Sequence, residues 1–450
     1  MALNGEAATL KYIKEHSSIP VPEVYHYSST CDNDIGVPYI LMSKAAGHPL
    51  GTYKWQTHSH KDPELTRAEE LPRVLTDGEK EKIMRQLGRL SRQLFDLRFP
   101  TIGSLFEDET GYYIGECLSP GHIREERELV DISRGPFDNE SDFFKSLAIA
   151  LHLHAEQLSM GHHLFRAPIP VPEEYSSHSK YIKATDRWNE FAALGKQIDS
   201  GRNRLQYCLV SQLLEDTIIP CMVRHGRDST PGFPLYHPDI SLQNLFVDND
   251  LNITCVIDCA NAFTAPPAQL LAPPGLPRPG DLVLDLSLMD AFRSGFELQE
   301  ANNNVRLIEP DFWVAGQMAS RFMRLVTLDA LQDYVHLKAL WTLACGSATQ
   351  GGGDDITSLP CLLTALAEDE DAIELAEDLA ADDMPESEIR RQEKGHFVHL
   401  GQERLAVAQK VVLAAEMNPH SVADCRLWRW IDAVMEDRDM AGYNQGLAVS

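Results

Sequence analysis

Between Leu235 and Asp258 the chain reads LYHPDISLQNLFVDNDLNITCVID. His237, Asp239 and Asn244 fall there in the spacing H-x-D-x-x-x-x-N, and Asp258 closes the apolar run that begins at Ile253. These residue types suit phosphoryl transfer. A carboxylate accepts the proton of an attacking hydroxyl, while an amide oxygen and a second carboxylate hold Mg²⁺ against phosphate oxygens. Asp239 is the candidate base, Asn244 and Asp258 are the candidate metal ligands, and His237 is the residue that braces the loop. The elements that must position them are legible beside them. Leu245 to Asp248 and Ile253 to Ile257 read as two short strands joined by the turn Asn249-Asp250-Leu251-Asn252. Such a hairpin carries a polar loop on its entry side and an acid on its exit side, which can bring Asp239, Asn244 and Asp258 together.

The spacing is that of a kinase catalytic loop. The wording Tyr236-His237-Pro238-Asp239, with Val256-Ile257-Asp258 after it, resembles the aminoglycoside-phosphotransferase-like family, its fungal branch above all. Ile19-Pro20-Val21-Pro22-Glu23-Val24 and Tyr39-Ile40-Leu41-Met42 resemble the same family, and so does Thr101-Ile102-Gly103-Ser104-Leu105. The resemblance covers Glu6 to about Met289. It implies an α+β, protein-kinase-like fold with a truncated small lobe and a large, mainly helical lobe. It also implies ATP and Mg²⁺ as cofactors, and transfer of the γ-phosphoryl group to a hydroxyl of a small molecule. By the same resemblance Met42, Ser43, Lys44 and Ala45 form a hinge whose backbone pairs with the adenine edge. Glu6 matches the helix glutamate that pairs with a phosphate-binding lysine.

That lysine and its glycine-rich loop belong upstream, where only Met1 to Gly5 stand, and Cys259-Ala260-Asn261 replaces the family's usual aromatic and acid. Two expectations follow: either the true start lies further upstream, or the chain is a catalytically inactive kinase-like binding or regulatory module.

The 450 residues carry a formal charge of −27. That charge repels nucleic acid and anionic membranes, and no basic block offsets it. Nine cysteines without a framework spacing point to reduced thiols and an intracellular, cytoplasmic protein. Cys255 and Cys259 flank Asp258 and read as buried thiols. No apolar run reaches membrane-spanning length. The acceptor and the oligomeric state are not legible.

Three regions are expected: 1–46 as a partial small lobe ending at the hinge, 47–300 as the large lobe with the catalytic loop, and 301–450 as a helical extension with an acidic segment. Helical spacing is expected over Glu6 to Glu15, from Thr76-Asp77 to Leu97, and over Ser141 to Met160. It is expected again over Val171 to Asp199, Arg202 to Ile219, Asp281 to Gln299 and Asp311 to Cys345. A hairpin is expected around Asp108-Glu109-Thr110, and Pro120 to Asn139 reads as a charged loop. His152 and His154 lie two apart on a helix and cannot chelate together. His58 and His60 read as loop residues, Gly351 to Asp354 as a helix stop, and Pro266 to Pro279 as an irregular stretch that either lines a cleft or wraps the lobe. Leu362 to Glu388 reads as a solvated acidic helix.

Overall fold

A computed structural model describes residues 2–55, 73–160, 163, 165, 176–181, 200–225, 230–276, 285–299, 304–305, 308–328, 333–346, 359–383, 385 and 387–388. The His58/His60 pair, most of 171–199, Gly351 to Asp354 and everything after residue 388 lie outside the described residues.

The architecture is helix-rich α+β with small antiparallel sheets. Helix α1 (Ala2–His16) buries Ala7, Leu10 and Ile13 along one face. It ends where Ser17 turns its hydroxyl onto the Ile13 carbonyl, just before Pro20 and Pro22. Strands β1 (Val24–Ser28) and β2 (Tyr39–Met42) pair antiparallel. Strand β3 (His48–Pro49) leads to α2 (Asp77–Asp96), which starts at a capping box. There the Thr76 hydroxyl accepts the Glu79 N–H while the Glu79 carboxylate accepts the Thr76 N–H. Strand β4 (Arg98–Phe99) and the hairpin β5 (Ser104–Asp108) and β6 (Gly111–Gly115) come next.

The stretch expected as a loop from Pro120 contains a short helix α3 (Pro120–Ile123) and a 3-10 turn at Arg127–Leu129. Arg127 sets that local order. Its guanidinium is 1 % exposed and donates to the Gly121 and Val326 carbonyls and to His154 Nδ1. Burial pushes its pKa down to about 10. His122, beside it, is also fully buried. Ser146 gives its proton to the Phe143 carbonyl, so its oxygen receives His122 Nε2–H, and His122 Nδ1 accepts from the Ser119 hydroxyl. Burial first, and then the Arg127 and Arg134 charges, push the His122 pKa down to about 3.

Helix α4 (Glu140–Gln157) is capped by Asn139. His152 and His154 reach different partners, Ser211 and Ser159, from opposite sides of it. Helix α5 (Gly201–Leu213) does not end near Ile219 as the spacing predicts. It widens into a π turn (Leu214–Ile218) and continues as α6 (Ile219–His225). The wider turn allows Leu214, Ile218 and Ile219 all to be buried. The chain then forms β7 (Phe233–Tyr236), β8 (Leu245–Val247), β9 (Ile253–Val256), β10 (Phe263–Thr264) and a 3-10 stretch at Pro267–Leu271. Next come α7 (Leu286–Glu297), the short pair β11 (Leu298–Gln299) and β12 (Asn304–Val305), and four helices: α8 (Pro310–Val326), α9 (Asp333–Gly346), α10 (Leu359–Ala367) and α11 (Glu370–Ala381).

One hydrophobic cluster runs from Leu10 in α1 to Leu379 in α11. Residues from all three expected regions share it. The acidic segment is therefore not a simply solvated helix. It is two helices whose apolar residues Leu363, Ala372 and Leu379 are buried, while its carboxylates face outward. Asp383 accepts the Gly201 N–H and ties that segment to the start of α5. Helices α2 and α7 cross at paired glycines. A Cβ on Gly88 would stand 2.1 Å from the Phe292 carbonyl oxygen, and one on Gly295 would stand 2.0 Å from that of Arg85. Among the described residues every cysteine is a free thiol, and no helix is long and apolar enough to cross a membrane.

His122 has a folded-state pKa below its unfolded value, so only the unfolded chain takes up its proton as pH falls below about 6.5. Its contribution is complete above that pH. It declines by about 1.4 kcal/mol per pH unit on the way down toward the folded pKa. Urea unfolding of wild type and His122→Gln between pH 7 and pH 5 checks this. The variant is expected to lose stability less steeply by close to one proton. Parallel pH profiles would mean that His122 is not held neutral.

Candidate functional site

The loop 237–244 and the segment 257–262 are clamped at both ends. On one side β8 and β9 pair, with Leu245 opposite Val256. On the other side β7 and β10 pair, with Tyr236 opposite Phe263. The chain therefore leaves one ladder, crosses the loop that carries His237, Asp239 and Asn244, and enters the second ladder. It returns through Asp258 to the first. This layout follows from short β-prone runs separated by polar or turn residues. Sequence spacing predicts the β8–β9 hairpin. It misses β7, because Pro234 argues against a strand with neighbours on both sides, yet β7 lies between β4 and β10. Pro234 lacks a donor but still offers its carbonyl, which accepts the Ala265 N–H.

Several supports around the hairpin are invisible to motif reading. Strand β3 adds a third strand, pairing His48 with Val247 and Pro49 with Phe246. Gly47 makes that approach possible. It has a φ of +88°, and a Cβ there would lie 2.3 Å from the Val247 carbonyl oxygen. The Pro20 carbonyl accepts the Val256 N–H, so the stretch after α1 is tied to β9. Gln86 of α2 grips the turn: its amide N–H donates to the Leu251 carbonyl, and its amide oxygen accepts the Ile253 N–H. Leu251, buried in that turn, takes a φ of +61°. Asp248 accepts the N–H groups of Asp250 and Asn252 and the Asn252 amide, which hold its carboxyl below the usual range. Ser104, buried under the returning arm, donates to the Ala262 carbonyl.

Within this frame His237 is 6 % exposed, and burial pushes its pKa down. Its partners define the tautomer. Nε2–H donates to the Ile257 carbonyl, and Nδ1 accepts the Asp239 N–H. The ring thus spans both arms and holds the Asp239 backbone. Asn244 is also buried. Its amide nitrogen donates to the Asp239 carbonyl and to Asp239 Oδ2 at 2.9 Å. Its backbone carbonyl accepts the Ile257 N–H, which fixes it across from the residue preceding Asp258. The Asn244 amide hydrogens are committed to Asp239, which leaves its amide oxygen as the group for a cation.

Asp258 is exposed and sits at a φ of +63°, a conformation that a side-chain-bearing residue adopts at a cost. Glu6 of α1, half-buried, faces it. The Glu6 carboxyl is raised above its usual value by burial first and by the Asp258 charge second. Neither acid makes an ion pair or hydrogen bond among the described residues. Cys255 and Cys259 are buried beside them, and burial raises both thiols.

The structure thus brings Asp239, Asn244, His237, Asp258 and Glu6 to one place. The expected hinge is less uniform. Met42 pairs with Val24 in the ladder, and the Ser43 N–H is spent on the Glu23 carbonyl, with Ser43 Oγ accepting the Glu23 N–H. Lys44 and Ala45 make no hydrogen bond among the described residues. Backbone pairing with a planar ligand edge is therefore open at Lys44 and Ala45 and closed at the Ser43 N–H.

If the Asp258 charge sustains the Glu6 shift, Asp258→Asn lowers the Glu6 midpoint toward the ordinary glutamate value. A carboxyl-carbon NMR titration of Glu6 in both proteins reads this directly. An unmoved midpoint would separate the two acids.

Compared with known proteins, the chain matches no family model. It is similar to two Aspergillus fumigatus proteins, from two strains, each described as a subtelomeric hrmA-associated cluster protein. Identity to each is 27% over 281 residues, covering 58% of this chain and 50% of the relative. The chain therefore spans about half the length of the curated relatives it matches.

Proposed function

We propose that this chain is a kinase-like phosphotransferase of the aminoglycoside-phosphotransferase type, using ATP and Mg²⁺ to phosphorylate a hydroxyl of a small molecule. One observation carries the reading. Asn244 holds the Asp239 carboxylate through one oxygen, while Asp258 stands on the facing arm beside a half-buried Glu6 that has no ion-pair partner among the described residues. The donor set suits the metal, because a hard divalent cation takes carboxylate and amide oxygens, and Asn244 and Asp258 offer both. When bound, Mg²⁺ neutralises phosphate charge. The order helix, strand, strand, connecting segment and catalytic hairpin supports the kinase-like reading, as do the quoted wordings.

The chain's own residues then have distinct tasks. Asp239 takes the proton of the acceptor hydroxyl, its second oxygen being outside the Asn244 bond. His237, neutral and locked by Ile257, keeps the Asp239 backbone in register. Lys44 and Ala45 present backbone groups to the adenine edge. Positioning supplies most of the rate in such chemistry.

A second reading, a catalytically inactive kinase-like binding or regulatory module, is favoured by one observation: Glu6 has no cation partner among the described residues. Two measurements separate the readings. Calorimetry with Mg²⁺-ATP is expected to show binding that Asp258→Ala removes, and heat from neither protein would defeat the phosphotransferase reading for this chain. Turnover against a panel of hydroxylated acceptors is expected to fall by about 10²–10⁴-fold in Asp239→Asn, with nucleotide binding kept. Binding without turnover in the wild type would select the module.

A further inference from the structure

A cavity opens between helices α2 and α8 and the proline-rich segment that follows β10. That segment, expected either to line a cleft or to wrap the lobe, lines one through Pro273 and Pro274. Tyr236, His237, Pro238 and Ile240 close one side, and Asp239, Asp258 and Glu6 take no part in the wall. The cavity measures about 140 Å³, the scale of apolar cavities that accept a single benzene ring.

The chemistry of the wall limits what fits. Leu87, Leu90, Leu94 and Met323 supply apolar surface. No carboxylate lines the cavity among the described residues, so a cationic ligand meets no counter-charge there. Arg124 and Arg324 border it, but each already has a partner within the protein, so neither is assigned to an anion. His237 offers no ring nitrogen, because one donates to the Ile257 carbonyl and the other accepts the Asp239 N–H. The Thr327 hydroxyl is spent on the Met323 and Arg324 carbonyls. Two hydroxyls differ from these. Ser91 on α2 and Ser320 on α8 line the cavity and are half-buried, and neither side chain makes a hydrogen bond among the described residues. A serine inside a helix can turn its hydroxyl back onto the carbonyl one turn earlier, and neither of these does. Both oxygens also keep accessible surface, so a molecule in the cavity can meet them.

We propose that this cavity is a binding site for an uncharged, single-ring molecule that carries a hydroxyl or carbonyl group. The ring packs on Leu87, Leu94 and Met323. The polar group pairs with the Ser91 or Ser320 hydroxyl, each of which can donate or accept. A charged analogue is disfavoured, because its charge would leave water without gaining a partner. The site is separate from the Asp239–Asp258 arms and stands whether or not the chain transfers phosphate.

Four probes of one size test it: benzyl alcohol, toluene, benzoate and benzylammonium. Their affinities are read by ligand-observed NMR titration on the full chain, as wild type, as the double variant Ser91→Ala with Ser320→Ala, and as Asp239→Asn. Benzyl alcohol and toluene are expected to bind wild type saturably, and both ions to bind at least about tenfold more weakly than the alcohol. The double variant weakens benzyl alcohol about threefold or more, the worth of one neutral hydrogen bond, and leaves toluene unchanged. Asp239→Asn leaves both affinities unchanged. The proposal is overturned if benzyl alcohol or toluene fails to bind wild type, or if either ion binds within about tenfold of the alcohol. It is equally overturned if the double variant keeps its alcohol affinity or loses toluene to the same degree. Loss of benzyl alcohol binding in Asp239→Asn would place the probe at the candidate loop and overturn it too.

Discussion

Two short antiparallel ladders hold the candidate site, and each is held in turn by packing and hydrogen bonds from other elements. The β8–β9 pair and the β7–β10 pair are each only a few residues long, and isolated ladders of that length are marginal in water. Their stability comes from outside. The β7–β10 pair rests on an aromatic cluster in which Phe263 contacts both Phe143 and Tyr236. The β8–β9 pair is bordered by β3, gripped at its turn by Gln86 and tied to Pro20. The loop residues between the ladders can then be polar and locally strained, as Asp258 is, because the strain is offset by packing elsewhere.

How much of this can be read from sequence follows from which interactions are local. The β8–β9 hairpin, the capped start of α2 at Thr76 and the apolar face of α1 are written within a few residues, and the structure contains all three. Grouping Asp239, Asn244 and Asp258 needs only the hairpin, so it too is legible. The facing of Glu6 and Asp258 is legible only through family resemblance, because 252 positions of sequence separate them and no spacing rule reaches that far. The Gln86 clamp has no sequence signal at all, since a glutamine on a helix flank is ordinary. Strand β7 was hidden by its proline, and the helical order after Pro120 by a buried arginine that reads as surface charge. The acidic segment is dense in carboxylates, yet three buried apolar side chains, Leu363, Ala372 and Leu379, anchor it to the body.

Asp239, Asp258 and Glu6 gather negative charge around the candidate loop, and burial already makes that charge costly at Glu6. His237 stands among them, and burial favours its uncharged form, so it ties the loop to the returning arm through fixed hydrogen bonds without adding a charge.

Arg127 carries a consequence for how the chain is made. Its guanidinium is buried and leans on the Val326 carbonyl, 199 positions further along. A ribosome delivers the arginine long before it delivers that acceptor. During the interval the guanidinium must stay hydrated, because closing it inside the body without Val326 would strand a charge. The body around α3 and α4 is thus prevented from sealing early, and its completion waits for the last turn of α8 to emerge.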